Sequence, residues 1–203
     1  TDIIVSSHGA SRIFVPDRAI DVVKSEVYDY PNIKISEELD SSEPLDIIFF
    51  SNGEPSADDN YQLLLKIIQD RQLKNRVVRV QDVVGRVASQ SAAAYASNTN
   101  WYFLVNGKLR INQNFDFSWQ PDRLQNSKHY IFMATNPVNN LEYGHQAIVA
   151  NNKQLTLSTQ VQGLDFTMDS PHEIVDMNSG IAIYNCDEWT TWRTAFREVI
   201  KLL

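Results

Sequence analysis

The sequence predicts an α/β fold: a mixed, mostly parallel sheet with helices on both faces and a strand-rich second half. Two observations carry this. Between residues 45 and 111, apolar runs of strand length alternate with segments of helical period, giving β-α-β-α-β. The first of those strands, "LDIIFF", is apolar almost throughout, as a strand covered on both faces must be.

The elements follow in order. Ile3–Val5 is a short strand-like run in an otherwise weakly patterned start. "SEELDSSEP", Ser36–Pro44, is polar, acidic and closed by proline, so it reads as a linker. Residues 1–42 are therefore expected to be an N-terminal extension or the tail of a preceding domain, and 43–203 the main domain. After "LDIIFF", the turn "SNGEPSADD" offers Ser56 and Asp59 at capping-box spacing. Tyr61, Leu64, Leu65 and Ile68 then repeat at helical spacing, and "RVVRV" supplies the second strand. Gly85–Ala96 is a second helix, rich in small residues, and leads into the strand "WYFLVNGKLRI" with its polar tip Asn106-Gly107-Lys108. In the second half "HYIFMA", "QAIVA", "QLTL" and "IAIY" read as short strands. A last helix, Trp189 to Leu203, has Asn185 and Glu188 as a capping box. Trp189, Trp192, Phe196, Val199 and Leu203 step by three and four along it as its expected buried stripe.

Composition narrows the function. Apolar residues are 43% and charged residues 21%, a globular balance, and the longest apolar runs are far too short to span a bilayer. No basic start followed by an apolar block marks a signal peptide. Residue 1 is Thr, which suggests a processed chain or an excised one. Cys186 is the single cysteine, so no internal disulfide forms and a reducing, cytoplasmic setting is expected. The four histidines show no ligand spacing, which argues against structural zinc. A formal charge of −7 argues against a general polyanion-binding surface but leaves room for a local basic pocket.

In open α/β sheets, ligands gather beyond the carboxyl ends of the strands. Three such ends are located: Ser51–Glu54, Gln81–Gly85 and Asn106–Lys108. Ser51, Asn52, Gly53 and Glu54 would face a nucleotide, or they form an ordinary strand-to-helix turn. Arg86 opposes the dipole at a helix start, which hints at an anionic partner; the bland reading of its helix is close packing on the sheet. Arg193, Arg197 and Lys201 step by four and repel by roughly 0.2–0.5 kcal/mol per pair. They are either a phosphate-binding row or partners of acids elsewhere. Asp165, Asp169, His172 and Glu173 share a loop in which one group could be a general base; acidic loops are also common. His145, after a glycine, is functional or structural on the same terms.

Four stretches, "FFSNGEPSADDNY", "GRVASQSAAAYASNTNWYFLVNGKLRINQNFDFSWQPD", "IFMATNPVNNLEYGH" and "YNCDEWTTWRTAFREVIKL", together resemble the GT-A-like glycosyltransferases of phages and of TET/JBP-associated systems. These are proposed to glycosylate hydroxymethylated DNA bases. The likeness covers nearly everything from residue 45 onward, in the family's order; residues 1–42 have no counterpart. It implies a GT-A-like, Rossmann-like fold and a nucleotide-sugar donor above the carboxyl edge of the sheet. Ser51, Asn52 and Glu54 would border the nucleotide, with Gly85 and Arg86 beside it, and Asn106 to Lys108 would fill the metal and diphosphate corner. Asn136, Tyr143, Gly144 and His145 would shape the sugar and acceptor side. Trp192, Arg193 and Arg197 match the C-terminal motif, the arginines serving diphosphate or acceptor phosphate.

The chain departs from that pattern in two places. Many relatives read Asp-Gly-Asp where it has Asn106-Gly107-Lys108, and many carry a glycine-rich run where it has His145-Gln146-Ala147. A hard cation wants carboxylate oxygens. The resemblance therefore implies a metal-independent transferase in which Lys108 with Arg193 or Arg197 stabilises the leaving diphosphate and Asp165 or Asp169 is the base. Alternatively, it implies a degenerate relative that binds nucleic acid, sugar or protein. No metal ligand is assigned; the donor is a nucleotide sugar and modified DNA is the candidate acceptor.

Overall fold

The computed structural model describes residues 2–5, 11–14, 43–122, 127–137, 140–158, 170–183 and 188–201. The chain divides into two compact units, Thr1–Glu43 and Pro44–Leu203. In the first, β1 (Asp2–Val5) and β2 (Ser11–Phe14) pair antiparallel. The second runs β3 (Asp46–Ser51), α1 (Ala57–Asp70), β4 (Val77–Gln81), α2 (Arg86–Ala96), β5 (Trp101–Asn106), β6 (Leu109–Ile111) and β7 (His129–Thr135). It continues through β8 (Glu142–Asn152), α3 (Lys153–Ser158), β9 (His172–Ala182) and α4 (Glu188–Lys201).

One seven-stranded mixed sheet, in the order β4-β3-β5-β8-β7-β9-β6, organises this unit. β3 is parallel to both β4 and β5, so the expected β-α-β-α-β start is present. Beyond β5 the sheet is mixed: β8 runs antiparallel to β5 and to β7, β9 parallel to β7, and β6 antiparallel to β9. Parallel pairing thus runs through β4-β3-β5 and recurs beyond it at β7-β9. The sheet also curls. β6 begins at Leu109, just after β5 ends at Asn106, yet it pairs with β9 at the edge opposite β4.

Alternation along the strands explains why helices cover both faces. Ile47 and Phe49 of β3 join Leu64 and Ile67 of α1 in the larger core, while Ile48 meets Ala93 and Ala94 of α2 together with Tyr102. The two alanines, fully buried, let α2 lie close on the sheet. Segment 112–121 has no regular structure but inserts Phe115 and Phe117, whose rings meet Phe103 edge-on at 5.9 and 5.4 Å. The "FDF" stretch is therefore core. Asp46, 4% exposed, ties three elements: it accepts from Arg76 Nη2 at 2.7 Å, Arg76 Nε at 3.2 Å and the Asn98 amide at 2.6 Å.

Three local expectations are corrected. "QLTL" is not a strand but most of helix α3, started by Asn152, whose Oδ1 accepts the Leu155 N–H at 3.0 Å. Ser56 occupies the N-cap of α1 without capping it; its hydroxyl accepts instead from Asn60 Nδ2 at 3.3 Å. The stripe of α4 is exposed rather than buried, with Trp189 at 66% and Trp192 at 56%. Asn185 and Leu203 lie outside the described residues.

Candidate functional site at the carboxyl edge of the sheet

The parallel registers align the strand ends. Ser51 pairs with Gln81 and Phe50 with Asn106, so β3, β4 and β5 finish together. β8 runs past them: Val105 pairs with Ile148, and residues 142–146 therefore extend beyond the end of β5. The same hairpin carries Asn136, Tyr143, Gly144 and His145 to this edge. His145 sets its ring edge-on to Tyr143 at 5.7 Å, and Asn136 Nδ2 donates to the Tyr143 hydroxyl at 3.4 Å. The structure thus brings together Ser51–Glu54, Gly85–Arg86, Asn106–Lys108 and the Asn136–His145 hairpin.

The tip of β5 is locked from below. The Gly107 N–H donates to Phe50 O at 2.7 Å, and Asn60 Nδ2, from buried Asn60 on α1, donates to Gly107 O at 2.8 Å. The Glu54 carboxylate accepts the Asn52 N–H at 2.7 Å, and the same Oε2 stands 3.1 Å from where a Gly107 Cβ would lie. That Cβ would also meet Ser51 Cβ at 3.1 Å and Phe50 O at 3.2 Å. Gly107→Ala is therefore expected to cost about 1–2 kcal/mol and to push Glu54 aside. Urea midpoints and nucleotide affinity of the variant check this; an unchanged midpoint would refute the lock.

Lys108 is half-buried and held by its backbone on both sides. Its N–H donates to Asn106 Oδ1 at 3.0 Å, and its carbonyl accepts the Ile183 N–H at 2.8 Å from just beyond β9. Three elements therefore meet at this residue. The corner's donor set does not suit a hard cation. Asn106 turns its amide oxygen to the backbone, Glu54 supplies one carboxylate, and Lys108 adds a positive charge.

The remaining candidate residues are spread over several positions. Asn52 does not present a free amide, because Nδ2 donates to Val83 O at 3.1 Å and Oδ1 accepts the Val83 N–H at 3.2 Å. It is a brace between the two loops, and Gly85, at φ +97°, supplies the turn that follows. Arg86 is exposed at the start of α2. His172 and Glu173 lie at the far edge, since His172 pairs with His129 at the start of β7 and Glu173 forms an ion pair with Lys128. They do not serve this site. Arg193 is exposed on α4, and Asp165 and Asp169 lie outside the described residues. Arg197 lies on α4, and its side chain is outside the described set.

Two residues escaped the sequence reading. Arg79 donates through Nε and Nη2 to Ser51 Oγ, both at 3.3 Å, pairs with Asp58 at 2.7 Å, and lies over the Tyr61 ring at 5.0 Å. Its signal was an arginine inside the apolar run "RVVRV", a half-buried cation that needs partners. Asn60 was hidden by lying on the apolar face of α1, where a buried amide implies a backbone partner.

No family model matches the chain, and no curated protein does. Among solved structures, the chain is similar to the bifunctional IspDF of Campylobacter jejuni, at 9% identity and a TM-score of 0.45, over 73% of this chain and 54% of that one. The chain thus spans about half the length of that protein. It is also similar to a glycosyltransferase involved in the glycosylation of the major capsid of PBCV-1, at 9% identity and a TM-score of 0.41, over 64% of this chain and 82% of that one. A third similarity is to the 4-diphosphocytidyl-2C-methyl-D-erythritol synthase of Anaerococcus prevotii, at 9% identity and a TM-score of 0.41, over 77% of this chain and all of that one.

Proposed function

We propose that this chain is a cytoplasmic glycosyltransferase that moves a sugar from a nucleotide diphosphate to a hydroxyl without a divalent metal. One observation carries the reading. The aligned strand ends and the overhanging hairpin form a single edge, and Lys108 is fixed there by backbone hydrogen bonds on both sides. In the reaction, the acceptor oxygen attacks the anomeric carbon and the bond to the diphosphate breaks. The Lys108 ammonium stabilises the negative charge that develops on the leaving group. Ser51, Glu54, Gly85 and Arg86 border the nucleotide, Asn52 holds their loops together, and Asn136 and His145 face the sugar and acceptor. Asp165 or Asp169 takes the acceptor proton if the anomeric centre inverts, and Arg193 or Arg197 contacts diphosphate or acceptor phosphate. The resemblance in the sequence supports a hydroxymethylated DNA base as the acceptor.

Titrating nucleoside diphosphates with and without Mn²⁺ tests the metal question: strictly metal-dependent binding would sink the role of Lys108. Lys108→Ala is expected to lower turnover by roughly 10²–10³-fold while nucleotide binding is retained. A second reading, a non-catalytic binding module, is favoured by the closed amide of Asn52 and by Ser51, whose hydroxyl already accepts from Arg79. Sugar transfer or donor hydrolysis by the purified protein refutes it.

A further inference from the structure

Along α4, Trp189, Trp192, Phe196 and Val199 occupy the first and fourth positions of two successive seven-residue frames. They are 66%, 56%, 53% and 57% exposed, and among the described residues α4 makes no extensive packing contact with another helix or strand. Their rings form a ladder: Trp189 stacks on Trp192 at 5.2 Å and 21°, and Trp192 on Phe196 at 5.4 Å and 11°. Four large apolar side chains in one row, each more than half exposed, make the kind of patch that marks an interaction site.

We propose that this stripe is covered by α4 of a second copy, the two helices lying parallel about a twofold axis. Charge selects the occupant. Exposed Glu188 and exposed Arg193 flank the stripe on opposite sides and five residues apart, which is the offset at which the flanks of parallel paired helices meet. In a parallel pair Glu188 of each copy faces the partner's Arg193, twice over by symmetry. Antiparallel pairing centred on the stripe would instead bring Arg193 close to the partner's Arg193 and leave Glu188 at the far end with no arginine to face.

Two other occupants fit less well. Stacked bases need free ring faces, and here the ring faces inside the ladder already cover one another. An anionic bilayer would be drawn to Arg193, Arg197 and Lys201, but Glu188 and Glu198 on the same helix offset two of those three charges and weaken that attraction. The paired length is short, since 14 residues make about 21 Å of helix and two heptads. The dimer is accordingly concentration-dependent. The inference does not rest on the proposed reaction, but by pairing Arg193 with Glu188 it leaves the phosphate contact to Arg197.

Sedimentation velocity of the full chain over a concentration series is the test. A reversible monomer–dimer equilibrium is expected, and Trp192→Ser with Phe196→Ser abolishes it while the far-UV circular dichroism is kept. Glu188→Arg alone and Arg193→Glu alone each weaken the dimer by roughly tenfold, and the double exchange restores it. A monomer at every concentration overturns the proposal, as does a dimer indifferent to the stripe. Single exchanges with no restoration overturn the parallel arrangement. A monomer that binds single-stranded DNA or anionic vesicles through Trp192 assigns the stripe to another partner and overturns it as well.

Discussion

Gly180→Ala is expected to destabilise the main unit by on the order of 3–5 kcal/mol, since its Cβ position is the most crowded among the described glycines. Gly180 sits at φ +137° in β9, opposite Ile111 of β6. A Cβ there would lie 2.2 Å from Arg110 O, 2.8 Å from the Asn112 amide nitrogen and 3.0 Å from Ile111 Cα. All three are main-chain atoms, so no side-chain rotation relieves the clash, and β6 must leave β9. Gly53 is the control. It also has a positive φ, +79°, but nothing lies within 4 Å of its Cβ position, so Gly53→Ala carries only the backbone strain of about 1–2 kcal/mol. Urea unfolding of the two variants side by side measures the difference. Equal losses would show that backbone conformation, and not the β6–β9 contact, sets the cost. Because Ile183, just beyond β9, bonds to Lys108 O, the Gly180 variant is also expected to loosen the candidate site.

That link between a distant strand pair and the site shows what the sequence could and could not convey. The β3-α1-β4-α2-β5 start was legible because each element declares itself within a few residues. "LDIIFF" alternates its burial between two helices, and the small residues of α2 fit its closeness to Ile48. The three strand ends at the site followed from that order alone, since a β-α-β-α-β unit in one parallel sheet finishes its strands on one side. The second half depends on pairings between residues far apart. "QAIVA" is only the buried half of β8; its first half overhangs β5, and the apolar pattern stops at Gln146. "QLTL" alternates like a strand, yet Asn152 opens a helix there, and its three-residue spacing to Leu155 was the available cue. The curl that brings β9 to Lys108 left no local mark at all. That Asn52 closes onto a loop 31 residues away is likewise a long-range contact that no local pattern announces.

Acid should weaken this fold through one buried imidazole. His129 begins β7 with no solvent exposure, and its Nδ1 accepts the Asn152 N–H at 3.2 Å, so the neutral ring carries its proton on Nε2. Burial, and secondarily the neighbouring His172, pushes its pKa down to about 4. In the unfolded chain the same ring titrates near the ordinary value of about 6.5. The sign follows from proton counts. Above pH ~6.5 neither state binds the proton and the residue adds no pH dependence; between ~6.5 and ~4 the unfolded state takes it up and the folded state does not. Stability therefore falls across that window by up to about 3 kcal/mol, with about 2 kcal/mol gone by pH ~5. His129→Gln keeps an acceptor for the Asn152 N–H and removes the titration. Wild type should lose stability more steeply than His129→Gln between pH 7 and pH ~4.5 in urea unfolding, the gap opening below pH ~6.5. Parallel curves for the two proteins would mean that the imidazole takes up its proton inside the fold as readily as in the unfolded chain.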